Sequence, residues 1–153
     1  MIWQQTPYTF PLFATALLTL AATLYAYRQR HAPGAIYMSG MMLAVMIWVV
    51  FYALELNTAD LEGKKLWSKL QYIGIVYTCV SYFLFVLHYI GGLGRIRQTR
   101  PFLLALHLIP AITLLLAWTN EWHLLLWRSS SLIYVNQLSY LQLDHGPWFW
   151  IFI

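Results

Sequence analysis

His88, His107 and Glu55 are the side chains whose chemistry contrasts most sharply with the long apolar runs of this sequence. Two neutral imidazoles on neighbouring helices at one depth could clamp a haem iron between them. Membrane histidines also serve as hydrogen-bonded packing groups or proton relays, and a carboxylate at a helix end is either solvated or buried as a hydrogen-bond acceptor. Other chemistries lack their residues. There is no HExxH helix, CxxC pair or GxSxG elbow, the single cysteine is Cys79, and GGLG at Gly91–Gly94 lacks the Lys-Ser/Thr pair of a phosphate loop. The chain is therefore expected to have no catalytic residues, no metal site and no cofactor, with haem on His88 and His107 as the alternative.

A polar ladder runs beside these groups. Alternating steps of four and three pick out Trp67, Gln71, Gly74, Thr78, Ser81, Phe85 and His88, which share one helix face. Small residues let helix backbones approach closely in lipid. Gln71 and His88 are too large and polar to be spacers alone, and they favour a cavity lining. The neighbouring set, Ile73, Val76, Val80, Phe83 and Leu87, is apolar and is expected to face lipid, while Cys79 reads as packing. Glu55 follows Trp48 and Tyr52 on the preceding helix and lies level with Gln71. The candidate ligand-binding residues are thus Glu55, Trp67, Gln71, Gly74, Thr78 and Tyr52. The plainer reading of Glu55 is an interfacial carboxylate loosely paired with Lys65 or Lys69.

The elements that hold these residues are set by a bilayer. The composition is 61% hydrophobic and 9% charged, against about 25% charged in a soluble domain. A hydrocarbon core about 30 Å thick needs about 20 apolar residues of helix. Four such runs occur, at approximately 8–27, 35–56, 71–90 and 102–118, and PWFWIFI at 147–153 opens a fifth. A spanning helix cannot stop inside hydrocarbon with its carbonyls unpaired, so the chain is expected to continue past Ile153 as one partial membrane domain over 1–153. Thr15, Thr19 and Thr23 in the first run suggest close packing, and Pro110 in the fourth suggests a kink.

Charge sets the expected orientation. Arg28 and Arg30 follow the first apolar run, which makes it a permanent anchor and not a signal peptide. The loops with Arg28 and Arg30 and with Arg95, Arg97 and Arg100 contain no acid, so they are expected to be cytoplasmic and the N-terminus outside. Residues 57–70 and 119–146, where both signs of charge mix, are then external loops. The net charge of +4 belongs mostly to the inner face. It implies contact with anionic lipid and not with nucleic acid.

The segment 119–146 has structure of its own. NEWHLLLW can begin an interfacial helix capped by Asn120, with Trp122 and Trp127 at the membrane surface and His123 interfacial. SLIYVNQLSYLQLD has two β-rich runs around Asn136 and Gln137, which predicts a small external β-hairpin over Leu132–Leu143. The expected fold is an all-α polytopic membrane helix bundle with that hairpin as a lid.

Four segments in order carry a resemblance: ALEL at the end of helix two, LWSKLQYIGI opening helix three, NEWHLLLW after helix four and HGPWFW opening helix five. Together the pattern resembles the seven-transmembrane sensor region at the N-terminus of bacterial histidine kinases. Its recurring motif positions fall on Glu55, Trp67, Gln71, Tyr72, Gly74, Asn120, His123, Trp127, Gly146 and Pro147. The resemblance implies a multi-pass inner-membrane sensor covering four helices and the start of a fifth. It further implies a small-molecule or lipid signal, a homodimer and a C-terminal output domain, without kinase activity in these residues. A fragment of a transporter with Pro110 at a broken helix, or of a haem-binding redox protein, is the alternative.

Overall fold

The computed structural model describes residues 1–91 and 100–152; Arg95 and Arg97, on which part of the orientation reading rests, lie outside the described residues. Four long helices, α1 (Thr9–Arg28), α2 (Ala35–Asn57), α3 (Leu61–Tyr89) and α4 (Arg100–Trp118), are followed by the single turn α5 (Asn120–His123). Strands β1 (Trp127–Val135) and β2 (Leu138–His145) and helix α6 (Pro147–Phe152) complete the order. Each of the four long helices is long and apolar enough to cross a membrane. They pack in chain order, α1 on α2, α2 on α3 and α3 on α4, with Phe10, Leu17, Leu104 and Leu115 among the side chains left on the outside.

The expected external loop at 57–70 is corrected: α3 begins at Leu61, and only residues 58–60 separate it from α2. Asp60 is the reason, since its Oδ2 accepts the Gly63 N–H at 2.8 Å and caps the new helix. Glu62 and Lys65 pair at 3.1 Å one turn on, and Lys64 folds inward. The charge between Glu55 and Tyr72 therefore belongs to helical turns that carry α3 beyond its apolar run.

Residues 1–6 lie across this turn. Ala59 N donates to Ile2 O at 2.6 Å, Gln4 N to Asn57 O at 2.7 Å, and Ile2 N to Asp60 Oδ1 at 2.5 Å. The N–H groups of Ile2 and Gly63 hold the Asp60 carboxyl below the usual carboxylate range. Because its folded pKa is depressed, the stabilisation is present above the unfolded value of about 3.9 and is lost as pH falls through the folded value. Protection factors of the Ile2 and Gly63 amides should hold from neutral pH to about pH 4 and fall below it. Asp60→Asn should remove that dependence; protection unchanged in the wild type down to full protonation of the carboxyl would contradict the cap.

α3 is the central helix and is covered on two sides. Gly74 meets α2 so closely that a Cβ there would lie 2.5 Å from the Ala44 carbonyl oxygen and 2.6 Å from Trp48 N. Val76 and Val80, expected to face lipid, are instead buried, Val76 with 0% of its surface exposed. Val76 packs with Tyr72, Ala117, Leu126 and Trp127, and Val80 with Leu84, Leu103 and Leu106. Cys79, expected to pack, is exposed. A helix with neighbours on both flanks has room for lipid only on the remaining arc, which here includes Cys79 and Phe83. The threonines of α1 bond to their own helix, Thr15 to Pro11 O, Thr19 to Thr15 O and Thr23 to Thr19 O. Ser39 then reaches the buried Thr23 carbonyl at 3.1 Å, which is a close α1–α2 contact.

The hairpin is present and longer than Leu132–Leu143. Its strands pair antiparallel from Trp127↔His145 to Val135↔Leu138. Asn136 and Gln137 form the two-residue turn with φ of 50° and 66°, the doubly left-handed form that matches strand twist and that Asn tolerates. Alternation sends Ser139, Leu143 and His145 toward the helices and leaves Gln142 and Asp144 exposed.

Asn120 does not cap a helix as expected. The cap position is Thr119, whose side chain makes no capping bond. The Asn120 amide instead donates to Trp127 O at 2.9 Å and accepts from Leu126 N and Trp127 N, both at 3.0 Å. Trp127 is accordingly 4% exposed beneath the hairpin, not at the membrane surface, whereas Trp122 is 87% exposed.

Candidate functional site

The last turn of α2 and the first turns of α3 bring three polar side chains together. Glu55 is 8% exposed, and its Oε2 accepts from Ser68 Oγ at 3.0 Å and Gln71 Nε2 at 2.5 Å. Ser68 and Gln71 are three apart and so share a helix face, and the close approach at Gly74 one turn further sets their distance from α2. The expected loose pairing of Glu55 with Lys65 or Lys69 does not occur: Lys65 pairs with Glu62 and Lys69 with Glu121 at 2.5 Å. Among the described residues no cationic nitrogen lies within 4.0 Å of the Glu55 carboxylate. Lys64, with no exposed surface, donates its Nζ to the Glu55 backbone carbonyl at 3.0 Å.

These groups border a cavity of about 250 Å³. α2 contributes Trp48, Tyr52 and Glu55; α3 contributes Ser68, Gln71, Tyr72 and Ile75; the hairpin adds Trp127, Leu143 and His145. Trp127 stands edge-on to Tyr72, with ring centroids 5.4 Å apart, and His145 stacks on Phe149 at 3.6 Å. A second opening of about 610 Å³ lies on the α1 side, between Tyr8, Leu12, Thr15, Leu56 and Tyr140. Tyr52 lines both.

Of the candidate ligand-binding residues, the structure gathers Glu55, Gln71 and Tyr52 around the cavity. The other three sit elsewhere. Trp67 donates its Nε1 to Thr58 Oγ1 at 2.9 Å and stacks on Phe51, Gly74 lies in the α2 contact, and Thr78 bonds to Gly74 O at 2.7 Å. The hairpin root has its own set. His123 bonds to Thr119 Oγ1 and the Leu125 N–H, both at 3.0 Å. Gly146 donates to Leu126 O at 2.8 Å, where a side chain would run into the Leu125 carbonyl. Pro147 opens α6, where a missing N–H is no loss.

The two helical histidines are not placed together by these contacts. His88 Nδ1 accepts the Gly34 N–H at 2.7 Å and its ring lies by Tyr37. His107 Nδ1 is 2.8 Å from Leu103 O, with its ring by Tyr77. Tyr77 is eleven residues before His88, about 16 Å along α3 at 1.5 Å per residue. The expectation that they share a depth does not hold.

Sequence reading missed Ser68, Leu143 and His145 as lining residues. Ser68 was within reach, one helical step before Gln71, once the helix is extended back to Asp60. Leu143 and His145 depend on the hairpin register, which no local spacing reveals.

A bundle of four helices able to span a membrane, roofed by a hairpin and with a largely apolar cavity bordered by Glu55, Ser68 and Gln71 at that end, is a multi-pass membrane protein. The family model for the N-terminal 7TM region of histidine kinase matches residues 11–153, and the chain belongs to that family. The matched region is sensory, not catalytic, and is one to which an output domain is joined in a histidine kinase. No curated protein and no solved structure matches the chain.

Proposed function

We propose that this chain is a receptor module that takes an external or membrane-borne signal into the cavity beneath the hairpin and relays it by helix rearrangement to a C-terminal output domain. One observation carries the reading: a buried carboxylate, held by Ser68 and Gln71 without an ion-pair partner among the described residues, borders a cavity lined by residues of three elements. Buried ionisable groups in membrane bundles serve function more often than packing. A roof over a cleft is a common gate. A signal that binds one packing of α2, α3 and the hairpin better than another shifts the population by that difference in affinity, and no chemistry is needed. No haem takes part in this reading; a Soret band in the purified protein, lost in both His88→Ala and His107→Ala, would contradict that.

External sensing requires the hairpin end to face outward. Arg28 and Arg30 at the opposite end support that orientation. Reporter fusions test it: a periplasmic reporter should be active at Gly63 and Asn136 and silent at Arg30. Activity at Arg30 with silence at Asn136 would place the cavity on the cytoplasmic side and remove the external part of the reading.

A further inference from the structure

The cavity contains polar atoms that the fold leaves unused. Both hydrogen bonds to Glu55 fall on Oε2, so Oε1 has none among the described residues. On the hairpin side, His145 Nδ1 is buried and has no hydrogen-bond partner among the described residues, and the buried Trp127 Nε1 makes no well-formed bond there, the Tyr72 hydroxyl being the acceptor toward which it is directed. The buried Lys64 ammonium lies on the Glu55 backbone carbonyl and makes no direct ion pair with the carboxylate among the described residues, so Oε1 is left without a bonded partner, which is unfavourable in a buried place. Trp48, Tyr52, Tyr72 and Trp127 supply aromatic walls around the same space.

We propose that the cavity is a binding site for a small organic ammonium ion that also carries a hydrogen-bond acceptor. The cation would sit against Glu55 Oε1 and the aromatic faces, whose π-electron quadrupole attracts positive charge. The acceptor would take the Trp127 N–H, and the His145 ring would complete the polar contacts through Nδ1. A volume of about 250 Å³ admits an amino alcohol. The same chemistry is offered by a free amine and by an aminophospholipid headgroup. A headgroup would enter from the α1 side past Tyr52, the residue common to both openings. The assignment rests on the reading of this cavity as the receptor site.

The test is choline binding to the chain in nanodiscs of phosphatidylglycerol, a lipid without an ammonium group, followed by calorimetry. Saturable binding is expected, weakened about tenfold or more by Glu55→Gln. The neutral carbon isostere 3,3-dimethylbutan-1-ol should bind weaker than choline by about the same factor. Tyr52→Leu should weaken choline several-fold, and Glu62→Gln, at an exposed acid of the same end, should leave it unchanged, with circular dichroism confirming the fold of each variant. Equal affinity for choline and its isostere, or no binding of either choline or ethanolamine, overturns the assignment. Competition by phosphatidylethanolamine added to the nanodiscs identifies the source as lipid, and its absence identifies a soluble amine; either supports the ammonium chemistry. Receptor output is a separate readout, so ammonium binding that leaves output unchanged would keep the site and remove its sensing role.

Discussion

Replacement of Asn120 by alanine should detach the root of the hairpin from the helices. One amide side chain satisfies two backbone N–H groups, of Leu126 and Trp127, and one carbonyl, of Trp127, in a buried place where α5 gives way to β1. Truncation removes all three bonds. At about 1–3 kcal/mol for each buried group left unpaired, the loss is on the order of 4 kcal/mol, enough to undo a local element. Leu126 has no exposed surface and Trp127 almost none, so water reaches these groups only if the strand moves. Limited proteolysis in nanodiscs should show cleavage within Trp127–His145 in Asn120→Ala and protection in the wild type, while α1 to α3 stay intact. Asn120→Asp keeps the acceptor for both N–H groups and should fall between the two. Equal protection in all three proteins would show that the hairpin is held by something else.

Gly74→Val should force α2 and α3 apart. The atoms a Cβ would meet are backbone, Ala44 O and Trp48 N, which cannot rotate away as a flexible side chain could. The small residues Gly40 and Ala44 of α2, four apart, lie on the stripe that faces α3, where Gly40 is neighbour to Ser81. Association of this kind in lipid depends on dispersion contacts at short range. Overpacking costs about 1–3 kcal/mol where side chains can adjust, and more is expected where only backbone can move. The apparent melting temperature in detergent should fall by several degrees, and the functional loss should be larger still, since Gln71 lies one turn from Gly74 and loses its reach to Glu55. Cys79→Ser, exposed on the same helix, should change neither. An unchanged melting temperature in Gly74→Val would mean that the two helices pack less closely than the structure shows.

The spans were legible because a continuous apolar run of about 20 residues has few other uses. So was the polar character of Glu55 and Gln71 against apolar neighbours, which the structure pairs across α2 and α3, and so was the hairpin, since β-branched and aromatic runs flank a turn. Three things could not be read along the chain. Val76 and Val80 were assigned to lipid because a lipid tail and a leucine side chain are equally apolar partners, so hydropathy cannot distinguish a lipid face from a helix face. The first turns of α3 were assigned to a loop because charge lowers hydropathy without opposing helix, and the Asp60 cap signals a start to a reader who is not looking for a span. Trp127 was assigned to the membrane surface because its burial follows from Asn120 folding its side chain toward β1, a contact seven residues long that no helical or strand period marks. The N-terminal segment was unread for a similar reason: Gln4 reaches Leu56 O and Ser139 by side-chain bonds across 52 and 135 residues.

What joins these parts is the carboxylate at their meeting point. The most direct measurement is autophosphorylation of a signalling-competent receptor that carries these residues, recorded with and without its cue, for wild type, Glu55→Gln, Gln71→Ala and the exposed-site control Glu62→Gln. The expected result is a response to the cue that is lost or shifted at least about tenfold in cue concentration in the first two variants, with normal membrane insertion, and a wild-type response in the control. An unchanged response in Glu55→Gln and Gln71→Ala, or an equal defect in Glu62→Gln, would contradict a sensing site beneath the hairpin.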